Sequence, residues 1–116
     1  MLDRAHRLTS ALDYSRVSRQ GRRRGTRHLV VHALAIEPDA TSRVGCITSR
    51  AVGKATVRNR VKRRLREIAR EVLAEHPCGL LIVLRAKPGA AGADHQTLRA
   101  EVHRAIDRLV GGSERA

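Results

Sequence analysis

The chain has 116 residues, enough for one domain with a modest core. Its 24 Lys/Arg against 11 Asp/Glu give a formal charge of +13. No apolar run approaches the roughly 20 residues that span a bilayer, and no apolar stretch follows the basic start MLDRAHRLTS as a signal peptide requires, so a membrane-spanning or exported protein is not expected and a cytoplasmic one is.

The charge is unevenly spread. Residues 1–70 hold 18 Lys/Arg against 5 Asp/Glu, and residues 71–116 hold 6 against 6. A polyanion bound by one region of the surface is therefore expected, with nucleic acid as the default partner. An anionic membrane is the rival, but the chain has no Trp or Phe for an interfacial helix. With one Tyr and no Phe or Trp, a mechanism in which several bases stack on aromatic rings is disfavoured. Cys46 and Cys78 have no second Cys nearby, so a zinc knuckle or CxxC motif is absent and buried, reduced thiols are predicted.

In chain order, Thr9 and Ser10 can cap a short helix through Gln20, with Gly21 at its end. Arg22, Arg23, Arg24 and Arg27 follow in a basic loop or short edge strand. They form either a solvated run or a phosphate contact, and the crowding of like charges favours the second. Residues 28–36 read as a strand that puts His28, Val30 and His32 on one, incompletely buried, face. Two histidines without a third ligand do not make a metal site. Residues 37–42 are a turn, and 43–49 a second strand expected to pair antiparallel with the first.

Residues 50–70, RAVGKATVRNRVKRRLREIAR, hold nine Lys/Arg. Val57, Val61, Leu65, Ile68 and Val72 recur at helical spacing, while Arg58, Lys62, Arg66, Asn59, Arg70 and Arg63 fall on an adjoining arc from about 100° to 240°. A helix docked by one side and cationic on the other is predicted, running to about Glu75. Glu67, Glu71 and Glu75 read as a solvated edge paired to arginines of the same helix. Residues 79–86 form a nearly continuous apolar run, hence a central strand buried on both faces. The loop KPGAAGA follows. Asp94 then caps a last helix with Leu98, Val102, Ala105, Ile106 and Leu109 inside, and GGSERA is expected to be a frayed tail. Helices covering one face of a small sheet are predicted, leaving the other face, or the gap beside the first helix, open to a ligand. The acids are scattered, and no P-loop, HExxH or GxSxG motif is present, so the residues describe a binder without a catalytic site of its own.

The segment RVGCITSRAVGKATVRNRVKRRLREIAR resembles the protein component of bacterial ribonuclease P. The carriers are the strand Arg43–Gly45, the Arg50–Ala51 pair, Gly53–Lys54, and Arg58–Asn59–Arg60 followed by Lys62, Arg63 and Arg66. DYSRVSRQG and the Arg85–Pro88 turn extend the likeness to residues 4–110. The resemblance implies an α+β fold, a two-layer α/β sandwich in α-β-β-β-α-β-α order with a left-handed crossover, as one domain over 1–116. It implies the catalytic RNA and precursor tRNA as partners, one protein per RNA and no membrane. Leader removal would use Mg²⁺ held by the RNA, with no cofactor, metal or catalytic side chain in this chain. Arg50, Lys54, Arg58, Asn59, Arg60, Lys62, Arg63 and Arg66 would face the catalytic RNA. Tyr14, Val17, Ser18, Arg27 and His32 would line a cleft for the 5′ leader. Ser18 and His32 stand where the family commonly has aromatic residues, and Ala51 replaces one of a basic pair. Two other readings of the basic helix are a small ribosomal protein and a major-groove DNA reader. Against the latter, Asn59 alone suits a base edge.

Overall fold

The protein, seen in a computed structural model, is described for residues 4–8 and 10–115. A single 3-10 turn at Arg4–His6 leads to a short bridge in which Arg7 lies parallel to Val44. Helix α1 spans Ala11–Gln20. Strands β1 (Arg22–Gly25), β2 (Leu29–Ala35) and β3 (Arg43–Ile47) follow. After a 3-10 turn at Arg50–Val52 come helix α2 (Ala55–Glu75), strand β4 (Leu80–Ala86), a 3-10 turn at Pro88–Gly92 and helix α3 (His95–Arg115). The order is that of the expected α+β sandwich.

The sheet runs β1-β2-β4-β3. β1 pairs antiparallel with β2, and β2 with β4, whereas β3 pairs parallel with β4. The antiparallel β2–β3 pairing expected from their short connection is therefore overturned. β4 lies between them, because its apolar run gains most from neighbours on both edges and cover on both faces. The 36–42 connection is long enough to step over that place. It is laced to the start of β4 by Ser42 N–H to Pro77 O (3.0 Å), Gly79 N–H to Ala40 O (2.8 Å) and Ile36 N–H to Gly79 O (2.9 Å). A parallel pair cannot be joined by a tight turn, so α2 makes the β3-to-β4 crossover.

Alternation along the strands divides the core. Leu29, Val31, Ala33, Val44, Ile82 and Leu84 pack under α2 and α3, which contribute Val61, Leu65, Ile68, Val72, Leu98, Val102 and Ile106. Leu81 and Val83 point the other way and are covered with Leu8 by Val17 of α1. The sheet thus carries helices on both faces rather than one, although α1 is short and covers only part of its side. The N-terminal segment also blunts the β3 edge, with Leu8 N–H donating to Val44 O at 3.1 Å.

Several local expectations change. Ser10 occupies the cap position of α1 without a side-chain cap bond, and Thr9 lies outside the described residues. Asp94 does cap α3, accepting Thr97 N–H at 2.7 Å. α3 continues through Arg115 where a tail was expected, and Ala116 lies outside the described residues. His28 precedes β2 and leaves its face, so only Val30 and His32 share it. Glu71 reaches across to α3, to Arg99 Nε (2.6 Å) and His103 Nε2 (3.0 Å), rather than along its own helix. These bonds hold the Glu71 carboxyl below its usual range despite some desolvation, His103 contributing most. Both cysteines are free thiols. Cys78 is exposed rather than buried.

Candidate nucleic-acid interface

Gly53 makes the entry to α2 possible. Its φ of 153° lies where L-residues are strained, and a Cβ there would sit 3.0 Å from Val57 Cγ1. Helix α2 then begins with no side-chain cap and no acid in its first turn, so the positive end of its dipole adds to the cations around it. Val61, Leu65, Ile68 and Val72 are buried and Val57 partly so, as the spacing predicts.

The buried stripe fixes where each cation points. Arg58, Lys62 and Arg66 leave one flank, and Lys62 and Arg66 look toward Cys46 and β3. Burial drives the Cys46 thiol up to about 12, against the lowering pull of Arg66 and Lys62. Asn59 and Arg70 point outward and are exposed. Arg60, Arg63 and Arg64 leave the opposite flank and, with Glu67, line a shallow hollow of about 280 Å³. Arg64 has a structural duty, donating to Ala93 O at 2.8 Å and tying α2 to the turn before α3. Arg50 and Lys54 are exposed at the helix start. Among the described residues, none of Arg50, Lys54, Arg58, Arg60, Lys62, Arg63 and Arg66 forms an ion pair. Arg58 Nε is buried without a hydrogen-bond partner. So many uncompensated charges on a docked helix form a rigid surface for a polyanion.

A second surface lies beside α1. The strand register places Arg23, His32, Val83 and Gly45 in one row across the sheet. The Tyr14 ring lies over Gly45, where any Cβ would overlap it. Burial raises the Tyr14 hydroxyl pKa, with Cys46 adding to the shift and Arg66 opposing it. Arg66 thereby links the basic flank of α2 to this row. His32 is only 4% exposed, and neither ring nitrogen has a partner. Burial first, then Arg85 and Arg23, lower its pKa and keep the ring neutral. The next row holds Val30, Arg85 and Ile47, so Arg85 stands in the open part of this face.

Of the five residues expected in the cleft, Tyr14 and His32 are brought to one face, two strands or roughly 10 Å apart. Ser18 is exposed on α1. Val17 is fully buried and anchors α1 instead of meeting solvent. Arg27 stands apart, in the β1–β2 turn against α3. Arg23, expected within a phosphate-contacting run, and Arg85, expected only in a turn, both stand on this face. Arg85 did leave a signal, as the one charge in an otherwise apolar strand.

Comparison with known proteins decides the family. The ribonuclease P family model matches residues 2–110. The chain belongs to the ribonuclease P family. It is 44% identical over 99% of its length to all of the ribonuclease P protein component of Streptomyces avermitilis, and 45% identical over 94% of its length to 95% of that of Nocardioides sp.. Among solved ribonuclease P proteins, that of Thermotoga maritima superposes with a TM-score of 0.76 at 29% identity, covering 89% of this chain and 96% of its own. The Staphylococcus aureus protein gives 0.78 at 23% identity over 90% and 94%, a likeness of fold. Among the described residues no group of three or more His, Cys, Asp or Glu could hold a metal ion, and no helix is long and apolar enough to cross a membrane.

Proposed function

We propose that this chain, acting as one domain over 1–116, is the RNA-binding protein subunit of cytoplasmic ribonuclease P, one copy to each catalytic RNA. Arg50, Lys54, Arg58, Asn59, Arg60, Lys62, Arg63 and Arg66 hold the catalytic RNA. The face beside α1, with Tyr14, Ser18 and His32 joined by Arg23 and Arg85, takes the single-stranded 5′ leader of precursor tRNA. The RNA and its Mg²⁺ ions hydrolyse the phosphodiester at the leader junction. The protein's part is to neutralise phosphates and to fix the leader.

The observation that carries this reading is the set of unpaired cations on α2. Each guanidinium can make a charge-assisted, two-pronged bond to phosphate. The helix is already ordered by its buried stripe, so little conformational entropy is lost when RNA binds. Tyr14 offers one ring to a base. Gly45 beneath it leaves the ring its room, and Arg66 and Arg85 flank the path with charge.

Binding of Arg58→Ala and Arg60→Ala variants to the catalytic RNA tests this at physiological salt. Each substitution is expected to weaken affinity by about 1–3 kcal/mol. Affinities equal to the parent protein's, with unchanged melting curves, would remove α2 from the interface.

A further inference from the structure

The β1–β2 turn and the first half of α3 enclose an open pocket of about 500 Å³, lined by Arg24, Arg27, His28, Thr97, Glu101 and Arg104 among others. It shares no residue with α2 or with the Tyr14–His32 row. Its frame is rigid. Glu101 Oε1 accepts Thr26 Oγ1–H (2.5 Å) and His28 N–H (2.9 Å), and Oε2 meets His28 Nδ1 at 2.5 Å. Lys87 Nζ donates to Thr26 O at 2.5 Å, and Leu29 N–H donates to Thr26 Oγ1 at 3.1 Å. Burial works against an ionised Glu101, but the bonds from His28 and Thr26 outweigh it and hold the carboxyl below its usual range.

Glu101 is the one acid lining this pocket, and both its oxygens are engaged with the turn. Three guanidinium groups at the rim thus face a single carboxylate that is turned toward the β1–β2 segment. Arg24, Arg27 and Arg104 are exposed and form no ion pair among the described residues. Arg22, two residues before Arg24 on the same side of β1, makes the contrast clear, because its Nη1 donates to Leu109 O at 3.3 Å. Protecting an edge strand calls for charge. It does not call for a pinned turn, nor for a third arginine brought to the same hollow from α3.

We propose that this pocket is a second RNA-backbone site, in which Arg24, Arg27 and Arg104 hold phosphodiester groups of a segment distinct from the one on α2. The inference rests on the RNA-binding reading above. The recognised chemistry is phosphate, which an RNA backbone or a free polyphosphate could supply.

Tethered cleavage separates these cases. An iron–EDTA group is attached at Ala100→Cys in a Cys78→Ser background, and separately at Thr56→Cys on α2, with Cys78→Ser alone as the blank. Each protein is then bound to full-length ribonuclease P RNA. Cuts from Ala100→Cys at nucleotides not cut from Thr56→Cys are expected, and adding Arg24→Gln and Arg104→Gln should remove them. The same pair should lower the slope of log affinity against log salt by about 0.7–0.9 for each phosphate lost, with the melting midpoint unchanged. Cuts from Thr56→Cys alone would overturn the second site and leave the RNA reading standing. Cuts from neither would overturn both. Calorimetric binding of inorganic pyrophosphate that Arg24→Gln/Arg104→Gln abolishes, without cuts from Ala100→Cys, would give the pocket to a free polyphosphate and overturn the RNA assignment.

Discussion

His32, on the face proposed for the leader, is a buried polar side chain held at the expense of stability. A buried ring with two unpartnered nitrogens costs free energy that an apolar residue would not. His32→Leu should stabilise the protein by about 1–3 kcal/mol at pH 7.5. The sign with pH follows from the lowered pKa. Stability from the neutral ring is complete above the unfolded value of about 6.5 and is lost as pH falls from there toward the folded value. The advantage of His32→Leu should therefore widen between pH 7.5 and 5. Urea melts at both values check this, and an equal gap would mean that the ring is not held neutral. Tyr14 gives the complementary test. Tyr14→Ala should weaken precursor tRNA by about 1–3 kcal/mol, the worth of one stacked base, and mature tRNA far less. Equal losses would refute leader contact there. Tyr14 and His32 are both conspicuous in a chain so poor in rings. Arg23 was visible only as one of a run, and its place beside His32 needs the strand register.

At the scale of elements, periodicity carried the helices. The stripe Val61, Leu65, Ile68, Val72 and the stripe Leu98, Val102, Ala105, Ile106 are both buried where their spacing puts them. Leu65 is fully enclosed, so Leu65→Ala should cost about 2–5 kcal/mol and should weaken RNA binding only through loss of folded α2. Guanidinium melts with a binding titration well below the melt midpoint separate the two effects. Strands were legible as strands but not as neighbours. A continuous apolar run announces that β4 is central, yet nothing local to 28–49 says that β4 will lie between β2 and β3. That pairing is decided by which order buries β4 on both sides, and it spans residues far apart in sequence. The same limit misplaced Arg27 and His28. His28 is one step and Arg27 two steps outside the strands, where the two-residue alternation stops, and His28 is bonded to Glu101 of α3 instead.

For the whole molecule, charge distribution and fold act together. The surplus of cations lies in residues 1–70, and the sheet order carries it to three places: α2, the face beside α1, and the β1–β2 turn. Binding to the catalytic RNA should therefore fall steeply with salt, the slope counting about 0.7–0.9 per phosphate neutralised. A flat dependence would argue for a mainly apolar interface. On the proposed reading the protein's contribution appears through the RNA partner. The decisive measurement is reconstitution: leader cleavage from precursor tRNA by the catalytic RNA at low Mg²⁺, with and without the protein. Faster cleavage with the protein, lost on combining Arg58→Ala with Arg60→Ala, is the predicted result. Cleavage that is the same with and without the protein would contradict a role in ribonuclease P.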